Sequence, residues 1–177
     1  TLLVSFVVSM FSQTLKLIVI YRSRLKSKTS KLFISAICGL AVAALALFAT
    51  PTSLGSGKEL LSQLLFNGKI SDFTEMASRF LGSAFSYGAG GAGGIFAPTL
   101  ALGAATSSFV QSLFENQLGT IGILAGMTAG LSALTQSPLT SFVLILEMTD
   151  RHSAIFPLMI AALIGQGVSK FISKVSF

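Results

Sequence analysis

The chain has 177 residues, with 12 Lys and Arg against 6 Asp and Glu, a net charge of +6 and a mean hydropathy of +0.81. Charged residues make up 10% of it and apolar ones 52%, whereas a soluble domain carries about 25% charged residues. A soluble globule of this size is excluded for want of polar surface, and disorder is excluded by the apolar content, which leaves an all-α integral membrane protein with several passes. Cys38, the single cysteine, has no partner for an intrachain disulfide. The chain opens on Thr1 with neither an initiator Met nor a signal peptide, and is expected to be part of a longer protein.

In chain order, Thr1 to Ile20 is interrupted only by Lys16 and is long enough for one membrane span. A basic run follows, with Arg22, Arg24, Lys26, Lys28 and Lys31. Leu32 to Thr50 is a second span, whose Ala- and Gly-rich face suits close helix packing. Ser53 to Glu75 mixes charges of both signs around LLSQLLF, which predicts a short helix that does not span. Asp72 and Glu75 fit the first turn of the next helix, where negative charge is favoured.

Residues 80–114 carry no charge over 35 positions, too many for one span and too few for two with a loop. Their middle, YGAGGAGGIFAP from Tyr87 to Pro98, cannot continue a helix smoothly. The prediction is a break inside the membrane, between a helix ending near Tyr87 and one starting near Ile95. Residues 116–146 repeat the pattern with a break at TQSP, Thr135 to Pro138, where Ser137 suits the N-cap and Pro138 the first helical position. A last span runs from about Ile155 to Ile172. Backbone exposed at such breaks cannot face lipid, so two broken stretches predict a protein-lined interior of the kind that builds midplane ion sites.

With Gly94 as N-cap, Ile95, Phe96 and Ala97 present three free amides at a helix start carrying about half a positive charge. Pro98 contributes no donor. Such an end attracts anions without a cationic side chain, and amide dipoles hold an anion weakly enough for release. Gly93 and Gly94 complete the turn and allow close approach.

Other chemistries fit less well. Gly88, Gly90 and Gly93 match G-x-G-x-x-G, yet no strand pattern precedes them and the next acid, Glu115, lies beyond a further apolar helix. No Gly-Lys-Ser/Thr follows, which excludes a P-loop. Glu147, the acid deepest in an apolar run, precedes Arg151 by four residues and reads as a helix-end ion pair. His152 lies in a polar turn without a second His or Cys, so no metal site is expected. A triad of Asp150, His152 and Ser153 fails on geometry, because chain neighbours cannot face one another. Lys16 is placed to snorkel to an interface, and the 15 Phe read as lipid-facing and packing surface. The basic run has nothing else beside it to suggest nucleic-acid binding. No cofactor is expected.

GAGGAGGIFAPTLALGAATSSF, residues 88–109, resembles the CLC family of chloride channels and proton-coupled chloride antiporters, whose G-x-F-x-P signature stands here as Gly94, Phe96 and Pro98. LAGMTAGLSALTQSPLTSFVLILEMTD, residues 124–150, is similar to the family's next block, and ATPTSLGSGKELLSQLL, residues 49–65, to the loop and short helix upstream. Three blocks in order make the likeness specific, and it extends over essentially the whole chain.

The resemblance implies a fold of two inverted repeats per subunit, with this chain as the second repeat in the C-terminal half of a CLC-type protein. It implies chloride as the transported ion, contacted by the amides of Ile95 and Phe96 with Ala97 beside them, in a voltage- or proton-linked channel or antiporter. It further implies association with the N-terminal half of the same protein. A homodimer through spans 138–148 and 154–170 follows too, as does residence in a lipid bilayer, the plasma (inner) membrane if bacterial. The family's serine turn and gating glutamate belong to the first repeat. Its filter tyrosine belongs to a last helix, and is expected just after Phe177 or replaced by Phe177. The basic run would lie in the cytoplasm by the positive-inside rule, but the inverted-repeat topology places it on the opposite side and is preferred. Two readings compete: another broken-helix secondary transporter, which would line its breaks with acids, and a non-transporting membrane scaffold, which would need no free amides.

Overall fold

Apolar runs in a membrane must satisfy their own backbone polar groups, and here they do so as helices. The computed structural model describes residues 1–24, 28–48, 55–90, 94–113 and 119–175. Among them lie α1 (Leu2–Arg24), α2 (Lys28–Phe48), α3 (Lys58–Phe66), α4 (Phe73–Ala89), α5 (Phe96–Leu113), α6 (Gly119–Thr135), α7 (Pro138–Thr149) and α8 (Ile155–Val175), with a 3-10 turn at His152–Ala154 before α8. Three stretches among the described residues are long and apolar enough to cross a membrane: Leu2–Arg24, Lys28–Leu47 and His152–Ile172. The expected short helix is α3, and both expected breaks are present, between α4 and α5 and between α6 and α7.

Two boundaries differ from the sequence reading. α1 runs past Ile20 and takes Arg22 and Arg24 into its last turn, where a cation opposes the helix dipole. α2 begins at Lys28 rather than Leu32. Its small-residue face does not pack as expected. α2 meets α4, but none of its apolar window is buried and Gly39 has open space around it.

The core sits where small residues let helices touch. α6 lies between α5 and α8. A Cβ on Gly103 would stand 2.7 Å from the Gly126 carbonyl, and one on Gly165 would stand 2.3 Å from the Ala129 carbonyl, so backbone meets backbone at both crossings. Hydroxyls reinforce them. Ser107 Oγ donates to the Gly122 carbonyl at 2.7 Å, Ser132 Oγ to the Ala162 carbonyl at 2.6 Å, and Ser169 Oγ to the Ala133 carbonyl at 2.7 Å. In lipid, helix association rests on such packing and hydrogen bonding rather than on the hydrophobic effect. A second cluster forms where α1 lays Val4, Val8, Phe11 and Leu15, one helical stripe, against Ala84 and Leu102. Phe11 and Phe80 meet edge to face with centroids 5.3 Å apart.

The charged residues part company with the sequence reading. Glu147 is exposed, and α7 ends at Thr149 with Asp150 left-handed at its C-cap, so Arg151 leaves the helix and the i,i+4 pair cannot form. Asp150 instead faces His152 Nδ1 at 3.3 Å. The buried acid is Glu75, 5% exposed, whose Oε1 pairs with Lys69 Nζ while its Oε2 has no partner. Arg79, one turn further along α4, is also buried and donates to the Gly55 carbonyl at 3.1 Å, which ties the entry of α3 to α4. Breaking a buried pair costs several kcal/mol, and less when one partner reaches solvent. Because the Lys69 side chain is 38% exposed, Lys69→Met is expected to lower stability by roughly 1–2 kcal/mol, read as an earlier thermal unfolding transition.

Candidate functional site

The site is built at the first break. α4 ends at Ala89, and Gly90 at φ 79° turns the chain out of the helix, its N–H returning to the Tyr87 carbonyl at 2.9 Å. Glycine takes this left-handed conformation without steric cost. Gly94 is exposed, and α5 starts at Phe96, one residue later than the sequence suggests. Gly94 is therefore not the N-cap. Ile95 holds that place, its carbonyl accepting the first helical bond from Thr99 N at 3.3 Å and a second from Thr99 Oγ1 at 2.8 Å. Thr99 is fully buried, so its hydroxyl needs this partner.

The amides of Ile95, Phe96 and Ala97 meet no acceptor among the described residues, as the first turn of a helix leaves them. Pro98 lies in the same turn and has no N–H to offer. Ile95 is half-buried against the Phe11 cluster, which fixes the approach of the turn to α5. Phe96 is 47% exposed, so this helix start is open on its outer side. Gly93 lies outside the described residues, as do Phe177 and Glu115.

A cavity of about 510 Å³ opens beside this helix start, lined among others by Ser12, Lys16, Tyr87, Ile95 and Thr135. Among the described residues its lining holds one cation and no acid. Lys16 is exposed. No group of three or more His, Cys, Asp or Glu is placed to hold a metal among the described residues.

The second break differs in one respect. Ser137 stands at the N-cap of α7 with Pro138 following, as expected, but its hydroxyl makes no cap bond and instead pairs with Thr140 Oγ1 at 2.9 Å. The broken backbone is occupied by protein groups. Gln136, at φ 59°, donates from Nε2 to Ser169 Oγ at 2.6 Å, its carbonyl accepts from Gln166 Nε2 at 2.7 Å, and Ser137 N donates to Thr135 Oγ1 at 3.3 Å. α8 side chains thus cover the break at 135–138. Sequence reading missed this network because its polar members on α8, Gln166 and Ser169, lie thirty residues downstream within an apolar run.

Three helices long and apolar enough to cross a membrane, packed with the shorter broken pair α4 and α5, define an all-helical membrane fold. Residues 1–170 match the family described as Voltage gated chloride channel, and the chain belongs to that family, whose name describes chloride passage. Over 95 residues it is 42% identical to the H(+)/Cl(-) exchange transporter ClcA of Citrobacter koseri, covering 49% of this chain and 20% of that protein. It is 41% identical over 95 residues to ClcA of Cronobacter sakazakii. Against the Voltage-gated ClC-type chloride channel ClcB of Salmonella typhi it is 29% identical over 158 residues, covering 85% of this chain and 38% of that protein. The matches thus span well under half the length of these relatives.

Proposed function

We propose that this chain supplies the anion-binding repeat of a protein that moves chloride across a membrane. The single observation behind this reading is the start of α5, where, among the described residues, the amides of Ile95, Phe96 and Ala97 meet no acceptor and the adjoining cavity is lined by Lys16 and no acid. A partly buried cluster of N–H dipoles attracts a small anion and repels a cation. That argues against a cation-coupled site lined by carboxylates. A non-transporting scaffold would need no cavity with a cation beside such a helix start.

In this reading the chain is the second of two inverted repeats, in the C-terminal half of the protein. The N-terminal half completes the pathway from its other side, and Gly93, Gly94 and Pro98 shape the filter turn. The outer faces of α7 and α8 carry Leu139, Val143, Phe156, Ile160 and Leu163, all exposed and apolar. They suit a homodimer through spans 138–148 and 154–170 within the bilayer, in the plasma (inner) membrane if bacterial. The matched relatives include both exchange transporters and a channel, and a voltage- or proton-linked mode is open to either.

The test is efflux from chloride-loaded liposomes that contain the full-length protein. Chloride release above that of empty vesicles, at one or more pH values, is the expected result. Vesicles that hold their chloride at every pH, with folded protein in the membrane, would overturn the proposal in favour of a scaffold.

A further inference from the structure

The last turn of α1 reaches across to the turn that precedes the anion seat. Arg22 Nη1 donates to the Gly88 carbonyl at 2.7 Å and to Ser35 Oγ at 3.3 Å. Ser35, on α2, places its hydroxyl 2.7 Å from the Ala89 carbonyl. A helix end leaves its last carbonyls without internal partners. Here three in succession are claimed: Tyr87 by the Gly90 N–H, Gly88 by Arg22 and Ala89 by Ser35. A Cβ built on Gly90 would fall 1.9 Å from the Arg22 guanidinium carbon, so the planar cation lies directly against the left-handed turn. Only residues 91–93 then separate Gly90 from Gly94.

Glycine-rich backbone has the greatest freedom to lose, and so holds a shape only when anchored at both ends. The downstream anchor is Ile95, through Thr99 and the Phe11 cluster. We infer that Arg22, assisted by Ser35, is the upstream anchor: a positioning residue that clamps the end of α4 from the α1–α2 hairpin and so sets where the Ile95, Phe96 and Ala97 amides point. Both bonds leave Nη1, whose two N–H groups are fixed in the guanidinium plane, whereas an ammonium would have to order a freely turning head to meet both acceptors. A cation at a helix C-terminus is also favourable in itself. The inference rests on the anion-seat reading for its functional consequence, but not for the clamp.

The experiment uses the full-length protein, with Arg22→Gln, Arg22→Lys and Ser35→Ala. Amide hydrogen exchange over residues 86–90, the hydrogen-bonded last turn of α4 and its cap, reads the clamp without reference to chloride. Loss of a hydrogen bond to a charged group is expected to speed exchange there about tenfold in Arg22→Gln, with α6 and α8 unchanged. In liposomes the same variant is expected to discriminate less between chloride and nitrate than the unmodified protein. Arg22→Lys should recover part of both effects, and Ser35→Ala should shift both in the same direction by less. Unchanged exchange and unchanged discrimination in a folded Arg22→Gln protein would overturn the inference. Full recovery by Arg22→Lys would do so too, because charge alone would then suffice. If Arg22→Gln does not fold, Ser35→Ala decides, and normal exchange in it counts against the clamp. Faster exchange in a protein that moves no chloride would keep the clamp and sink the transport reading alone.

Discussion

Valine in place of Gly165 is expected to leave no correctly folded protein. The α6–α8 crossing is the tightest in the bundle, and a Cβ at this position would sit 2.3 Å from the Ala129 carbonyl and 3.0 Å from its Cα. Backbone cannot step aside as a side chain can. Relief requires the helices to separate, which also breaks the bonds from Ser132 to the Ala162 carbonyl and from Ser169 to the Ala133 carbonyl. Overpacking usually costs about 1–3 kcal/mol. With two lost hydrogen bonds added, the total approaches the roughly 5–15 kcal/mol on which a fold depends. Two residues along α8, Gly167 has nothing within 4 Å of its built Cβ. Gly167→Ala is therefore expected to be neutral or to stabilise by up to about 1 kcal/mol, because alanine is the better helix former. Size-exclusion profiles of detergent-extracted protein separate the outcomes: a folded peak for Gly167→Ala, and aggregate or no yield for Gly165→Val. A folded Gly165→Val protein would show that the two helices do not meet by backbone.

That contrast between two glycines marks the limit of what sequence patterns carry. Long uncharged runs predict helices, and glycine and proline predict breaks, because each is local chemistry. The breaks near Tyr87 and at Thr135–Pro138 and the short helix around LLSQLLF were therefore legible. Which glycine lies at a crossing depends on the rotation of one helix against another. Gly39 was expected to pack and stands in open space, while Gly103, Gly126 and Gly165 carry the contacts. Charge was misread for a related reason. Glu147 attracts notice because its neighbours are apolar, yet it points outward. Glu75 and Arg79 sit in a segment of mixed sign and are buried by the packing of α4 against its neighbours and, for Arg79, by the chain at Gly55. The start of α5 was legible to within one residue, because glycine and proline mark where a helix can begin. Its support was not. The Arg22 bond to Gly88 joins positions 66 residues apart in the chain, and a basic run at a helix end looks the same whether it meets solvent or a carbonyl.

Proline in place of Ile95 is expected to weaken anion binding at the seat roughly tenfold to a hundredfold, the equivalent of one charge-assisted hydrogen bond of about 1.5–3 kcal/mol. The position suits the substitution. α5 takes the Ile95 carbonyl, not its N–H, as the acceptor of its first bond from Thr99, so proline removes a ligand amide and leaves the helix start intact. The residue before it is Gly94, exposed and with open space around it, which tolerates the restriction that proline imposes on its neighbour. Ile95→Leu keeps the amide and nearly the same volume against Phe11 and Tyr87, so it is expected to change affinity little. Chloride titration by calorimetry, with bromide anomalous scattering to locate the ion, reads both. Loss in Ile95→Pro with retention in Ile95→Leu assigns the binding to backbone dipoles. Equal loss in both would assign it to the packing of the side chain, and bromide absent from this corner in the unmodified protein would remove the seat altogether.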